Sequence, residues 1–236
     1  MALSLTYSGL ANQIAFELGQ RTDLLSVPAG SNLTLSPIQI AIQTALAKWE
    51  REHFYFNEIG SPSAPATFNT VNGQEFYTAS AFPLLATQPH IDKIWILISS
   101  NRYTLNPRTE QYLSDTSVNP VVTGQPVDYA LYAETLRLYP IPNGAYPITV
   151  EGTQRFSALV NPGDTNAFLQ DGADLIRAEA KMYLYREVLK NKALADDCHD
   201  SIYGNPMRPN EVGYLEALRS ENVQRTAVGK MRAMYF

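Results

Sequence analysis

The stretch Ser36 to Glu58, SPIQIAIQTALAKWEREHFYFNE, decides how the chain is divided, because within it a helical pattern hands over to a different one with no linker between. Ser36 is placed to cap a helix, Pro37 suits its first position, and Gln39 stands three residues after the cap, completing a capping box for otherwise orphaned backbone donors. Ile38, Ile42, Ala45, Leu46 and Trp49 then recur at helical spacing, which predicts one buried stripe. His53 extends that stripe and is expected to be a packed or hydrogen-bonded core residue. Beyond it, Phe54, Tyr55 and Phe56 are too aromatic for a typical helix end, and predict the start of a strand.

On the N-terminal side, Leu10, Ala11, Ile14 and Leu18 predict a short amphipathic helix from about Ser8, closed by Gly19. Arg21 to Leu35 is aperiodic and turn-rich, hence a loop. On the other side the texture changes: 10 of the chain's 15 prolines fall between Phe54 and Phe156, and apolar residues alternate. Asn72-Gly73 between Thr67–Val71 and Gln74–Thr78 predicts a hairpin that sets Phe68 across from Tyr77. Ile91 to Ser99 is apolar on both faces and predicts a central strand, and Thr109 to Leu113 a single helical turn. A tight turn at Ala133-Glu134 would place Val127, Tyr129, Leu131, Leu136 and Leu138 on one face. Six or seven antiparallel strands result, the content of a small sandwich or barrel.

After Pro162-Gly163-Asp164 the helical period returns. Phe168, Leu175, Met182 and Leu189 stand seven apart, predicting the longest helix of the chain. Asn191 to Asn210 is expected to be a polar loop, with Asn210 capping a last helix that carries Val212, Leu215 and Leu218. Helical segments thus flank the strand-rich region, and their apolar stripes are best satisfied by packing on each other. The expected fold is α+β: a helical bundle formed by residues 1–56 and 154–222, an inserted antiparallel β-sandwich or barrel at 57–153, and an extended tail at 223–236.

The bulk composition narrows the function. A formal charge of −5 without a basic block argues against a protein that grips nucleic acid through its phosphates. The apolar runs are far shorter than the roughly 20 residues of a membrane span. A single cysteine allows no internal disulfide, and the N-terminus lacks the basic start of a signal peptide, pointing to synthesis in a reducing cytoplasm. Asp196-Asp197-Cys198-His199-Asp200 is the most chemical-looking cluster and admits a cysteine hydrolase built on Cys198 and His199, yet such pairs are normally joined by the fold and not by adjacency. Glu50, Glu52 and Glu58 invite a paired acid and base, against which Arg51 offers a compensating charge on a solvated helix face. The 14 tyrosines and 9 phenylalanines admit a glycan-binding tail or receptor protein, but their alternating and heptad positions are explained by burial. No catalytic, metal or cofactor site is expected.

Taken in order, a first helix, AIQTALAKWEREHFYFNE, the Asn-Gly hairpin, LRLYPIPNGAYPITVEG and NAFLQDGADLIRAEAKMYLY resemble the adaptor proteins of short-tailed phages, the head-to-tail connector family typified by phage SU10. The resemblance covers most of the chain and fades after about Leu218. It implies a non-enzymatic virion protein in the neck between capsid and tail, one subunit of a ring, expected to be a dodecamer, beneath the portal protein. Such a ring offers a platform for the tail nozzle and fibres and a lumen through which DNA passes without specific binding; a net acidic chain suits that lumen. The last residues, VQRTAVGKMRAMYF, stand apart: Arg225, Lys230 and Arg232 have no acidic neighbours there, and Met231, Met234, Tyr235 and Phe236 are of the kind enriched at interface cores. Family members reach along the portal with C-terminal segments, so these seven residues are the candidate portal-binding site.

Overall fold

A computed structural model describes residues 5–60, 66–87, 90–117, 122–156, 158–205, 207–208 and 211–233, with the backbone alone from 226 onward. The fold class is α+β, with seven α-helices and open sheets of mixed direction among the described residues. The chain divides into two compact units, one made of Met1–Phe56 with Phe156–Phe236, the other of Asn57–Arg155.

The first unit is helical. Helix α1 (Tyr7–Glu17) starts at Thr6, whose hydroxyl accepts from Gly9 N at 3.2 Å. Helix α2 (Pro37–Trp49) carries the capping box: Ser36 Oγ accepts from Gln39 N, and Gln39 Oε1 accepts from Ser36 N. Its stripe of Ile38, Ile42, Ala45, Leu46 and Trp49 is buried, each large side chain contributing about 1.5–3 kcal/mol. The long helix expected after Asp164 is instead three pieces: α4 (Ala167–Asp171), α5 (Ala173–Tyr183) and a π-turn at Leu184–Val188. Gly172 makes the first break, where a Cβ would press on the rings of Phe168 and Phe56 at 3.3 Å. Helix α5 packs against α1, α2, α6 (Lys192–Tyr203) and α7 (Tyr214–Ala233), so its apolar face closes the core.

Several expectations fail in this unit. Phe54–Phe56 is a turn and not a strand: Phe54 and Phe56 stack at 5.2 Å and both meet Phe168 edge-on, so aromatic bulk here serves a helical core. His53 is exposed, with its carbonyl accepting from Asn222 Nδ2. Residues 191–203 are not loop: Asn191 caps α6 by accepting from Leu194 N at 3.2 Å. The expected longest helix also changes place, because α7, with 20 residues, exceeds the others, and its regular backbone through Ala233 replaces the extended tail expected from 223. Asn210, the expected cap of α7, lies outside the described residues.

The second unit is built on β11 (Pro147–Thr153), which pairs antiparallel with β1 (Glu58–Ile59), β2 (Thr67–Asn69) and β4 (His90–Ile98). β5 (Asn101–Thr104) extends β4 at the edge, so Ile91–Ile98 is interior as expected. A second sheet runs β3 (Phe76–Tyr77), β9 (Thr135–Tyr139), β8 (Asp128–Tyr132) and β6 (Asn106–Pro107), and β7 (Thr123–Gly124) pairs with β10 (Ile141–Pro142). Two pairings, β6–β8 and β10–β7, are parallel, and the sheets are open, which corrects the antiparallel barrel expectation. The Ala133-Glu134 turn forms with both φ angles positive, and sets Tyr129 opposite Leu138 and Leu131 opposite Leu136. The Asn72-Gly73 turn also forms, with Gln74 N donating to Val71 O at 3.1 Å, but its arms part into different sheets. Phe68 and Tyr77 still meet, ring centroids 5.2 Å apart, because the Tyr77 hydroxyl is drawn to the turn backbone of Val71 and Gln74.

The expected helical turn after Thr109 is a two-turn helix, α3 (Glu110–Ser117), which buries Leu113 and is tied to the second sheet by the buried Arg137. Arg137 donates to Glu75 and Glu110 at 2.6 Å, to Ser114 at 2.8 Å and to Ser117 at 2.7 Å. At 6% exposure its guanidinium has most of its donors committed, which makes this contact expensive to open.

Candidate functional site

Four of the seven candidate residues, Arg225, Lys230, Met231 and Arg232, fall on α7. Leu215 is buried and Leu218 partly so, anchoring the first turns of this helix in the helical core. From Arg219 onward its contacts with the bundle become polar and land on Glu52–Tyr55, the segment that has just left α2. Arg219 Nη2 lies 3.0 Å from Glu52 Oε2. Asn222 Oδ1 accepts from Tyr55 N, and its Nδ2 donates to His53 O, both at 2.7 Å. One amide therefore satisfies a donor and an acceptor of a backbone that no longer has helical partners.

One turn further, the Arg225 guanidinium stacks over the Tyr55 ring at 3.6 Å and pairs with Glu221 Oε1 at 2.6 Å. The expectation that Arg225 has no acidic neighbour is thus corrected: Glu221 stands four residues before it, one turn away on the same face. Burial, joined by the charges of Asp171 and Glu221, pushes the Tyr55 phenol up to about 12. Lys230, Met231 and Arg232 lie on the backbone of the last turns of α7, and Met234, Tyr235 and Phe236 lie outside the described residues. Beside the docked half, Tyr203, Leu215, Glu216, Arg219, Ser220 and Val223 line an open groove of about 400 Å³.

The chemical rivals separate in the same unit. Cys198 and His199 are consecutive on α6, so their side chains diverge by about 100°. Cys198 is buried, which pushes its thiol up and away from the thiolate a nucleophile requires. His199 instead packs on the Tyr203 ring at 4.6 Å. Of the three glutamates, Glu50 Oε1 accepts from Phe156 N at 3.3 Å and Glu52 pairs with Arg219, while Glu58 belongs to β1 in the other unit. Glu50 and Glu52 thus tie the bundle together, with Arg219 in place of Arg51 as the partner of Glu52. Among the described residues no group of three or more His, Cys, Asp or Glu is placed to hold a metal, and no helix is long and apolar enough to cross a membrane.

The sequence matches the SU10 adaptor protein family over residues 5–221. The chain belongs to that family. It is therefore a phage adaptor, a structural protein of the virion. No curated protein matches the chain. The matched region of the adaptor ends inside α7, one residue before Asn222, so the twofold amide contact, Arg225 and the basic end of the helix all lie beyond it. Sequence reasoning singled out Arg225 by its charge and did not single out Asn222, Arg219 or Tyr55 beside it. The Glu221–Arg225 spacing was the one legible signal; a lone Asn in a helix carries none until the segment it faces is known.

Proposed function

We propose that this adaptor is a subunit of a ring, in the family's pattern a dodecamer, that docks on the portal protein through the C-terminal part of α7 and presents its remaining surface to tail components. In this reading residues 1–56 and 154–222 form the body, 57–153 a module carried by it, and 223–236 the portal-reaching end. DNA passes through the lumen without specific binding, and the protein resides in the neck of the virion after assembly in the host cytoplasm.

The observation that carries the reading is the reach of α7. Twenty helical residues span about 30 Å, and the bundle contacts just described run from Leu215 to Arg225, leaving eight further residues of regular helix backbone to Ala233. From residue 222 to the end there is no Asp or Glu, against Arg225, Lys230 and Arg232 and the terminal Met234, Tyr235 and Phe236. A basic helix followed in the sequence by Met, Tyr and Phe suits an acidic partner surface with apolar pockets.

Deleting Gln224 to Phe236 is expected to leave the circular dichroism of the remaining bundle and strands intact while abolishing attachment to DNA-filled heads. Heads that retain the truncated protein at full occupancy would exclude this mode of portal binding.

A further inference from the structure

The contacts of α7 change character at Arg219. Before it, Leu215 and Leu218 are held by burial in the core. After it, Arg219–Glu52, Asn222 with the backbone of His53 and Tyr55, and Arg225 on the Tyr55 ring are contacts at a partly exposed surface, and Val223 between them is 68% exposed. All of them land on the four residues Glu52–Tyr55. Water or a partner's polar groups can replace such contacts at little net cost, whereas the Leu215 anchor resists removal.

Arg225 is also already engaged, shared between Glu221 and Tyr55. A partner carboxylate that takes its Nε and Nη2 edge must displace Glu221. We infer that Asn222, with Arg219 and Arg225, forms a latch that holds the Arg219–Arg225 stretch of α7 against Glu52–Tyr55 in the free subunit, and that the latch opens when the helix beyond it engages its partner. Asn222 is the specific element: its amide gives and takes one hydrogen bond each, a role that Asp fills by half and Ala not at all. The opening step rests on the portal reading above; the latch itself does not.

The test is hydrogen exchange on the purified full-length chain, read by peptide mass. Asn222→Ala is expected to speed exchange of the amides at 219–233 about tenfold while leaving α1 and α2 unchanged. Asn222→Asp should fall between, since it keeps the acceptor for Tyr55 N. Arg219→Ala, a surface change, should move the same amides by a smaller factor, and serves if the Asn222 variants do not fold. Unchanged exchange at 219–233 in the variants that fold overturns the latch. Mixed with DNA-filled heads that lack adaptor, the Asn222→Ala protein should attach faster than wild type; equal or slower attachment overturns the opening step. Full attachment by the Gln224–Phe236 deletion would sink the portal reading and leave the exchange result standing.

Discussion

Two helices in this protein are held to their units by an arginine, and they are held differently. In the strand-rich unit, Arg137 is buried at 6% exposure and binds Glu75 together with Glu110, Ser114 and Ser117 along the whole of α3. In the helical unit, Arg225 is exposed, shares one carboxylate with solvent and rests on a tyrosine face. The donor chemistry is the same. Burial sets the consequence: separating Arg137 from its partners would strand charges away from water, whereas Arg225 exchanges one exposed partner for another. One arginine fixes a helix, and the other is suited to letting one go.

The comparison breaks most visibly at Arg137. Arg137→Ala leaves Glu75 and Glu110 facing an empty site and should lower the stability of its unit by about 2–3 kcal/mol in denaturant unfolding. Arg137→Lys should recover only part of this, because a single ammonium cannot serve acceptors in four directions. A loss below about 0.5 kcal/mol would mean that α3 is held by Leu113 and not by Arg137.

On the other side, Tyr55 reports whether α7 is seated. A phenol raised from 10.0 to about 12 favours the neutral form in the folded protein. The stability linked to it is fully present below pH 10 and is lost as pH rises through about 12. Burial also raises Tyr7, Tyr77, Tyr129 and Tyr185, so a phenolate absorbance titration should lose one phenol's share of its late rise, near pH 12, in Tyr55→Phe. Titration of Tyr55 together with the exposed tyrosines would show that α7 does not cover it in solution.

The smallest effect is expected at Cys198. Its thiol is buried and its histidine neighbour points elsewhere, so Cys198→Ala should cost under about 1 kcal/mol and leave head attachment unchanged. Loss of a defined hydrolytic activity in a folded Cys198→Ala protein would restore the enzyme reading.

What was legible in the sequence were the features whose physics is local. The Ser36–Gln39 capping box depends on residues three apart, the α2 stripe on the 3.6-residue period, and the Ala133-Glu134 turn on two residues between alternating strands. Each is closed within a few residues of itself, so nothing distant could overrule it. The candidate site was legible only as composition, a basic and aromatic C-terminus on an acidic chain.

What the tertiary structure decided were the choices between equally good local solutions. Aromatic Phe54–Phe56 suits a strand, but Phe168, itself packed on Phe156, made it a turn in a helical core. The arms of the Asn72-Gly73 turn went to β11 and β9, which offered them longer partners than each other. The polar stretch 192–203 became a helix because Ala195, Cys198 and Ile202 found a face of α5 to cover. Asn222 gained its role in the same way. Its amide is the same in any helix, and only the folded chain, by bringing the exit of α2 beneath it, gave that amide a donor and an acceptor to join.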